Sequence, residues 1–439
     1  MTAATATPTS PLHRLLSGVV EVEPHELKAL GWSFALFFSV LCSYYILRPL
    51  REEMGVTLGR DRLQGLFTVI FVVMLAAVPV FGWIVANVAR RYILPVVYLF
   101  FICCLAGFWL AWIAGKPGPL LASVFYVWVN VYVMFVVSLF WSCMTDVWAS
   151  AQAKRLYGAI SVGGTAGAFT GPLLVQALLG SLGLPGLLLL SAGFLGVALA
   201  SALTLRRLLA GTEPTAEPEG AKSPASLIAG ALNVWRSPYL FKIALWVFIA
   251  NVIGMFFYLE QARIVGEAIR TPADRVLLFS RIETGVSLLT MLLQAGLAGR
   301  LMRRIGVGWT AGLLPVGGVI GLVALAVAPM LATIVAIMIM QRAMSYGLSV
   351  PAMRVLYTVV DSEDKYRAQN FVDTVVYRGG DALAGWGFNL LGKGAGLATS
   401  SIALMALPLA AWWLTISLRL GREQAERAGE AAVGSDSPR

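Results

Sequence analysis

Apolar stretches long enough to cross a bilayer recur along the whole chain, separated by short polar connections. A hydrocarbon core about 30 Å thick needs roughly 20 consecutive apolar residues in a helix. The pattern predicts twelve such spans, near 27–47, 66–88, 92–114, 120–145, 158–181, 184–206, 239–259, 276–299, 307–328, 330–350, 367–391 and 397–418. The longest break, 207–238, contains Gly211-Thr212-Glu213-Pro214 and Glu217-Pro218-Glu219-Gly220, and reads as a flexible polar linker. It divides an amino-terminal group of six spans (27–206) from a carboxy-terminal group (239–418). Residues 1–26 have no apolar core, so they are not expected to act as a signal peptide. The tail 419–439 is charged, rich in Gly and Ala, and expected to be disordered.

Composition agrees with spans rather than a soluble core. Of the residues, 58% are hydrophobic and 13% charged, against roughly 25% charged in a soluble domain. The net charge of +10 does not point to a nucleic-acid partner, because the basic residues are spread over short loops. With the amino terminus inside, inside segments hold 20 Lys and Arg and outside segments 9. The excess predicts both termini in the cytoplasm. The four cysteines lie in apolar runs and form neither a metal spacing nor a disulfide framework.

The two groups of spans resemble each other at a nearly constant offset. The first span leaves as Tyr44-Tyr45-Ile46-Leu47-Arg48-Pro49-Leu50-Arg51 and the seventh as Phe256-Phe257-Tyr258-Leu259-Glu260-Gln261-Ala262-Arg263, an offset of 212. Arg90-Arg91 matches Arg303-Arg304 at 213, and Gly163-Gly164 matches Gly379-Gly380 at 216. The chain therefore reads as an all-α membrane protein whose twelve transmembrane helices form two pseudo-symmetric halves, the arrangement of the major facilitator fold. In that arrangement Arg90, Arg91, Arg303 and Arg304 are expected at an inner gate.

Ionisable groups inside spans are costly and need a cavity or a partner. Arg48 and Arg51 close the first span beside Glu52 and Glu53, either as a solvated outer loop or as an anion contact. In the eighth span Glu283, Ser287, Thr290 and Gln294 form a polar stripe, with Arg281 nearby. Gln341, Arg342, Ser345 and Ser349 form another in the tenth. In the eleventh, Asn370, Asp373, Tyr377 and Asp381 are expected to share a face, with Arg378 able to pair with Asp381. Arg48, Arg51, Arg263, Arg281, Arg342, Tyr377 and Arg378 are expected to line the substrate site, with each charge also open to a structural salt-bridge reading. Arg281, Arg342 and Arg378 together favour a bound anion, since guanidinium makes bidentate contacts to phosphate or carboxylate. Both histidines (His13, His25) precede the first span, so a coupling proton would ride on Glu260, Glu283, Asp373, Asp381 or Asp146. No phosphate-binding loop or nucleophile–base–acid set is present, and no cofactor or metal site is expected.

Ile46-Leu47-Arg48-Pro49-Leu50-Arg51-Glu52-Glu53, Ala153-Lys154-Arg155-Leu156-Tyr157-Gly158 and Asp364-Lys365-Tyr366-Arg367-Ala368-Gln369-Asn370-Phe371-Val372-Asp373, leading into Tyr377-Arg378-Gly379-Gly380-Asp381, resemble the ATP/ADP translocase family of bacteria and plastids. The resemblance implies exchange of ATP for ADP by a branch of the major facilitator fold. It places Arg51 where the family usually has lysine and Arg378 near the family's helix-eleven lysine. Asn130 and Gly254 stand near two family glutamates.

The reading is thus a bacterial inner-membrane secondary transporter working by alternating access. Its partners would be the lipid bilayer and a small anionic solute, with nucleotides the first candidate. No oligomer is implied. A proton-coupled transporter of another metabolite or drug, and a non-transporting membrane interaction protein, are the alternatives.

Overall fold

The structure is a computed structural model that describes residues 22–88, 90–115, 118–148, 150–208 and 224–435. Most of the amino-terminal segment and the first part of the expected linker lie outside these residues. The helices are α1 (Leu27–Gly59), α2 (Arg62–Ile84), α3 (Arg90–Ala114), α4 (Pro119–Val147), α5 (Ser150–Leu208), α6 (Pro224–Arg236) and α7 (Pro238–Ala268). They continue as α8 (Pro272–Leu292), α9 (Ala298–Val327), α10 (Leu331–Met344), α11 (Val350–Leu356), α12 (Ser362–Phe371), α13 (Tyr377–Asn389) and α14 (Thr399–Ser435).

Nine helical stretches among the described residues are long and apolar enough to cross a membrane, not the twelve expected. Two of them are too long for one crossing: Arg155–Leu208 has 54 residues and Pro272–Val327 has 56, about 80 Å each at 1.5 Å per residue. Each breaks at a glycine with positive φ, Gly183 (φ 65°) and Gly306 (φ 83°), a conformation that a β-carbon disfavours. The expected eleventh span is helical but too polar to be counted among the nine. Gly396 (φ 64°) lies 213 residues after Gly183 and shares its conformation. The repeat read from the sequence therefore extends to a backbone turn.

The chain forms two compact units. The first comprises the described residues within 1–48, 84–116 and 132–221; the second comprises those within 49–83, 117–131 and 222–439. In the first unit α5 lies directly on α1 because glycines face the contact. A β-carbon on Gly167 would stand 2.2 Å from the Phe38 carbonyl oxygen, and one on Gly171 would stand 2.9 Å from that of Cys42. Ser43 joins three helices, hydrogen bonded to the hydroxyls of Tyr132 (2.7 Å) and Ser191 (2.8 Å).

The start of α1 is tied to α5 by Glu26. Its buried carboxylate accepts from the Glu23 amide (3.0 Å), Gln152 Nε2 (2.8 Å) and the Arg155 guanidinium (3.0 Å). Burial raises its pKa, but these donors and the Arg155 charge outweigh that and hold it below the ordinary 4.5. A lowered folded-state pKa adds stability above the ordinary carboxylate range and loses it as pH falls through the folded value. Glu26→Gln is therefore expected to melt at a lower temperature than wild type at pH 7, and the gap to narrow on acidification below pH 4.5. Thermal unfolding in detergent across that range measures it.

In the second unit two expectations are corrected. The later part of the linker is not flexible coil but the helix α6, which packs on α12: Asn233 Nδ2 donates to Asp364 at 2.7 Å. The carboxy-terminal tail is not disordered as far as Ser435, since α14 runs through it. Glu423 pairs with Lys242, and Arg427 lies 4.6 Å over the Tyr239 ring, fastening the tail to the start of α7.

Candidate functional site

The first span is longer than expected. α1 continues to Gly59, so Arg51, Glu52 and Glu53 stand on helix rather than in a solvated loop. Within the second unit this helix end meets α4, α7 and α8. Glu52 is buried; its carboxylate accepts from the Tyr258 hydroxyl of α7 at 2.5 Å and pairs with Arg51. The Tyr126 and Tyr258 hydroxyls are 2.6 Å apart. With the Tyr258 proton directed at Glu52, Tyr126 is the donor in that bond. Arg51 lies 5.6 Å over the Tyr126 ring and 3.5 Å from Asn130 Oδ1. Buried Glu53 accepts from Thr57 (2.6 Å) and pairs with Arg275 of α8 at 3.5 Å.

A buried carboxylate that loses one of its donors is destabilised by about 1–3 kcal/mol. Tyr258→Phe is therefore expected to lower the melting temperature measurably. Adding Tyr126→Phe should cost less than it does alone, because both hydroxyls belong to one hydrogen-bonded chain. Additive losses in a double-mutant cycle would separate them.

A second cluster links α8 and α10. Arg342 donates through both terminal nitrogens to Glu283, at 2.7 and 2.6 Å, with Glu283 1% exposed. Further along, Gln294 Nε2 donates to the Tyr346 carbonyl at 3.2 Å. The polar stripe of the eighth span thus faces the tenth. Glu260 is fully buried, accepting from Arg263 Nε (2.8 Å) and Thr399 (3.0 Å), and Arg263 also reaches Glu267 at 3.0 Å.

The expected face of the eleventh span is not continuous. A π-helical turn at Val372–Val376 separates α12 from α13, and its extra residue per turn rotates Tyr377 and Asp381 away from the straight-helix register of Asn370 and Asp373. Asp373 is exposed and pairs with Arg354 at 3.1 Å. Arg378 sits 3.9 Å from Asp381 and 5.5 Å over the Tyr377 ring. Similar turns occur at Leu293–Leu297, Ser345–Ser349 and Leu390–Gly394.

The remaining candidates are not gathered into these clusters. Arg48 lies 5.6 Å over the ring of Tyr45. Arg281 is exposed and makes no ion pair among the described residues. Arg303 and Arg304 are exposed, and Asp146 is half-buried. Arg90 and Arg91 begin α3, with side chains outside the described residues.

The whole helical course can be set beside solved structures. A bacterial homologue of the iron transporter ferroportin in an inward-facing state is similar over 90% of this chain and 98% of its own, with a TM-score of 0.63 at 12% identity. The nucleoside transporter NupG is similar over 91% and 99%, with a TM-score of 0.62 at 13% identity. An auto-inhibited POT family peptide transporter gives 0.61 over 91% and 97%, again at 13% identity. The chain has the major facilitator fold. No protein-family model matches the sequence, and no curated protein does.

Within the major facilitator fold, the α1–α4–α7–α8 junction joins the end of the first helix to the opening helices of the carboxy-terminal half. Of these residues the sequence marks Arg51, and Asn130 through the family resemblance, while nothing in it singles out Tyr126, Tyr258 or Arg275 as site residues. The available signal was the run Arg51-Glu52-Glu53, because two adjacent carboxylates beside one arginine leave a charge that needs a partner elsewhere.

Proposed function

We propose that the protein is a bacterial inner-membrane secondary transporter that moves a small anionic solute by alternating access, with both termini in the cytoplasm. The fold supports transport, and Arg281 carries the anionic reading. It lies nine residues into the helix that begins at Pro272, about 14 Å along its axis at 1.5 Å per residue. With Pro272 at the headgroup level of a bilayer about 40–45 Å thick, that depth lies several Å inside the hydrocarbon core. A guanidinium at that depth is unfavourable against lipid, so its exposed face is read as wet. Arg342 and Arg378 have carboxylate neighbours, whereas Arg281 has none among the described residues and is the group with charge to offer a solute. The α1–α4–α7–α8 junction is then the contact that parts when access changes sides. The resemblance to ATP/ADP translocases makes nucleotides the first anions to test.

Reconstituted protein should take up, or exchange, at least one of labelled ATP, ADP, inorganic phosphate and di- or tricarboxylates. Arg281→Gln should reduce that flux about tenfold or more, the value of a hydrogen bond to a charged group. Exposed Arg270→Gln should leave it unchanged. Transport of a neutral solute with Arg281→Gln fully active would remove the anionic reading. Well-folded protein that moves none of the panel and no neutral solute would remove transport itself.

A further inference from the structure

Three guanidiniums crowd the stretch of helix just before the break at Gly306. Arg300, Arg303 and Arg304 follow i, i+3, i+4 spacing and so share one helix face. All three are exposed, and none makes an ion pair among the described residues. Like charges at this spacing repel, so the face is arranged for an anion that the described chain does not supply. Apolar side chains flank it: Leu297 is 43% exposed, Ile305 41% and Trp309 51%.

The position along the helix indicates which anion. From Pro272 to Arg300 is 28 residues, about 42 Å at 1.5 Å per residue. A bilayer with its headgroups is about 40–45 Å thick. A helix that starts at one interface therefore delivers these arginines to phosphate depth at the other. An exposed tryptophan beside them matches the aromatic belt found at that level.

We propose that this face binds the headgroup of an anionic phospholipid. The guanidinium forks take the phosphodiester oxygens, a geometry that lysine does not reproduce, while Ile305 and Trp309 lie along the glycerol–acyl boundary. The site needs the protein to span a bilayer but is independent of what, if anything, it transports.

Full-length protein in detergent, titrated with phosphatidylglycerol or phosphatidylcholine, tests this by native mass spectrometry and melting temperature. Phosphatidylglycerol should bind in preference and raise the melting temperature, with a shift that shrinks as salt is added. The triple variant Arg300→Gln, Arg303→Gln, Arg304→Gln should lose about tenfold or more in apparent affinity for it. A triple lysine variant, which keeps the charge and the fold, should fall between the two. Equal binding of the two lipids, a salt-insensitive shift, or undiminished binding by the glutamine variant would overturn the proposal. So would inorganic phosphate alone giving the full stabilisation, since the site would then be one for free anions.

Discussion

Arg342→Ala is expected to destabilise the protein by about 3–5 kcal/mol, the range for removing one partner of a buried ion pair. Both oxygens of Glu283 are held by Arg342, and Glu283 is 1% exposed. The alanine variant leaves that buried carboxylate without its bidentate partner. Much of the loss comes from the buried carboxylate rather than the missing attraction, so an apolar double replacement, Glu283→Leu with Arg342→Met, should recover most of it. Thermal unfolding of the two variants beside wild type decides this. A loss under about 1 kcal/mol for Arg342→Ala, the scale of a surface pair, would mean that the pair is solvated and exchangeable rather than a fixed tie between α8 and α10.

Gly167→Ala should cost about 1–3 kcal/mol, the range for overfilling a packed contact, although alanine is the better helix former by about 1 kcal/mol. The added methyl would stand 2.2 Å from the Phe38 carbonyl oxygen and 2.9 Å from the Cys42 nitrogen. Both are backbone atoms of α1, which cannot rotate aside as a side chain can, so the two helices must separate. Gly193→Ala, in α5 beyond its break at Gly183 and with nothing within 4 Å of the new carbon, should be neutral or stabilising. Equal melting temperatures for the two variants would show that the α1–α5 contact is looser than its glycines suggest.

The helices and their repeat were legible because hydropathy is written locally, and so was the arginine-rich exit of the first span. Partners were not. Glu52 and Tyr258 lie 206 positions apart, and neither pattern nor spacing relates them. The stripes containing Glu283 and Arg342 were visible separately, but their meeting depends on α8 and α10 being neighbours. The π turn at Val372–Val376 defeated the face drawn from Asn370 to Asp381, because the straight-helix period fails once an extra residue is inserted. The helical tail was legible in principle: 422–432 is rich in Ala, Glu and Arg, strong helix formers, interrupted only by Gly429. The glycines were given too much weight there, as were the Pro and Glu residues ahead of α6.

Glu52 and Glu53 are consecutive on α1, so their side chains leave the helix about 100° apart. One is moored to Tyr258 and the other to Arg275. The two moorings reach different helices, α7 and α8, so they limit the rotation of the helix end as well as its distance from its neighbours. The end of α1 comes away only when both are released.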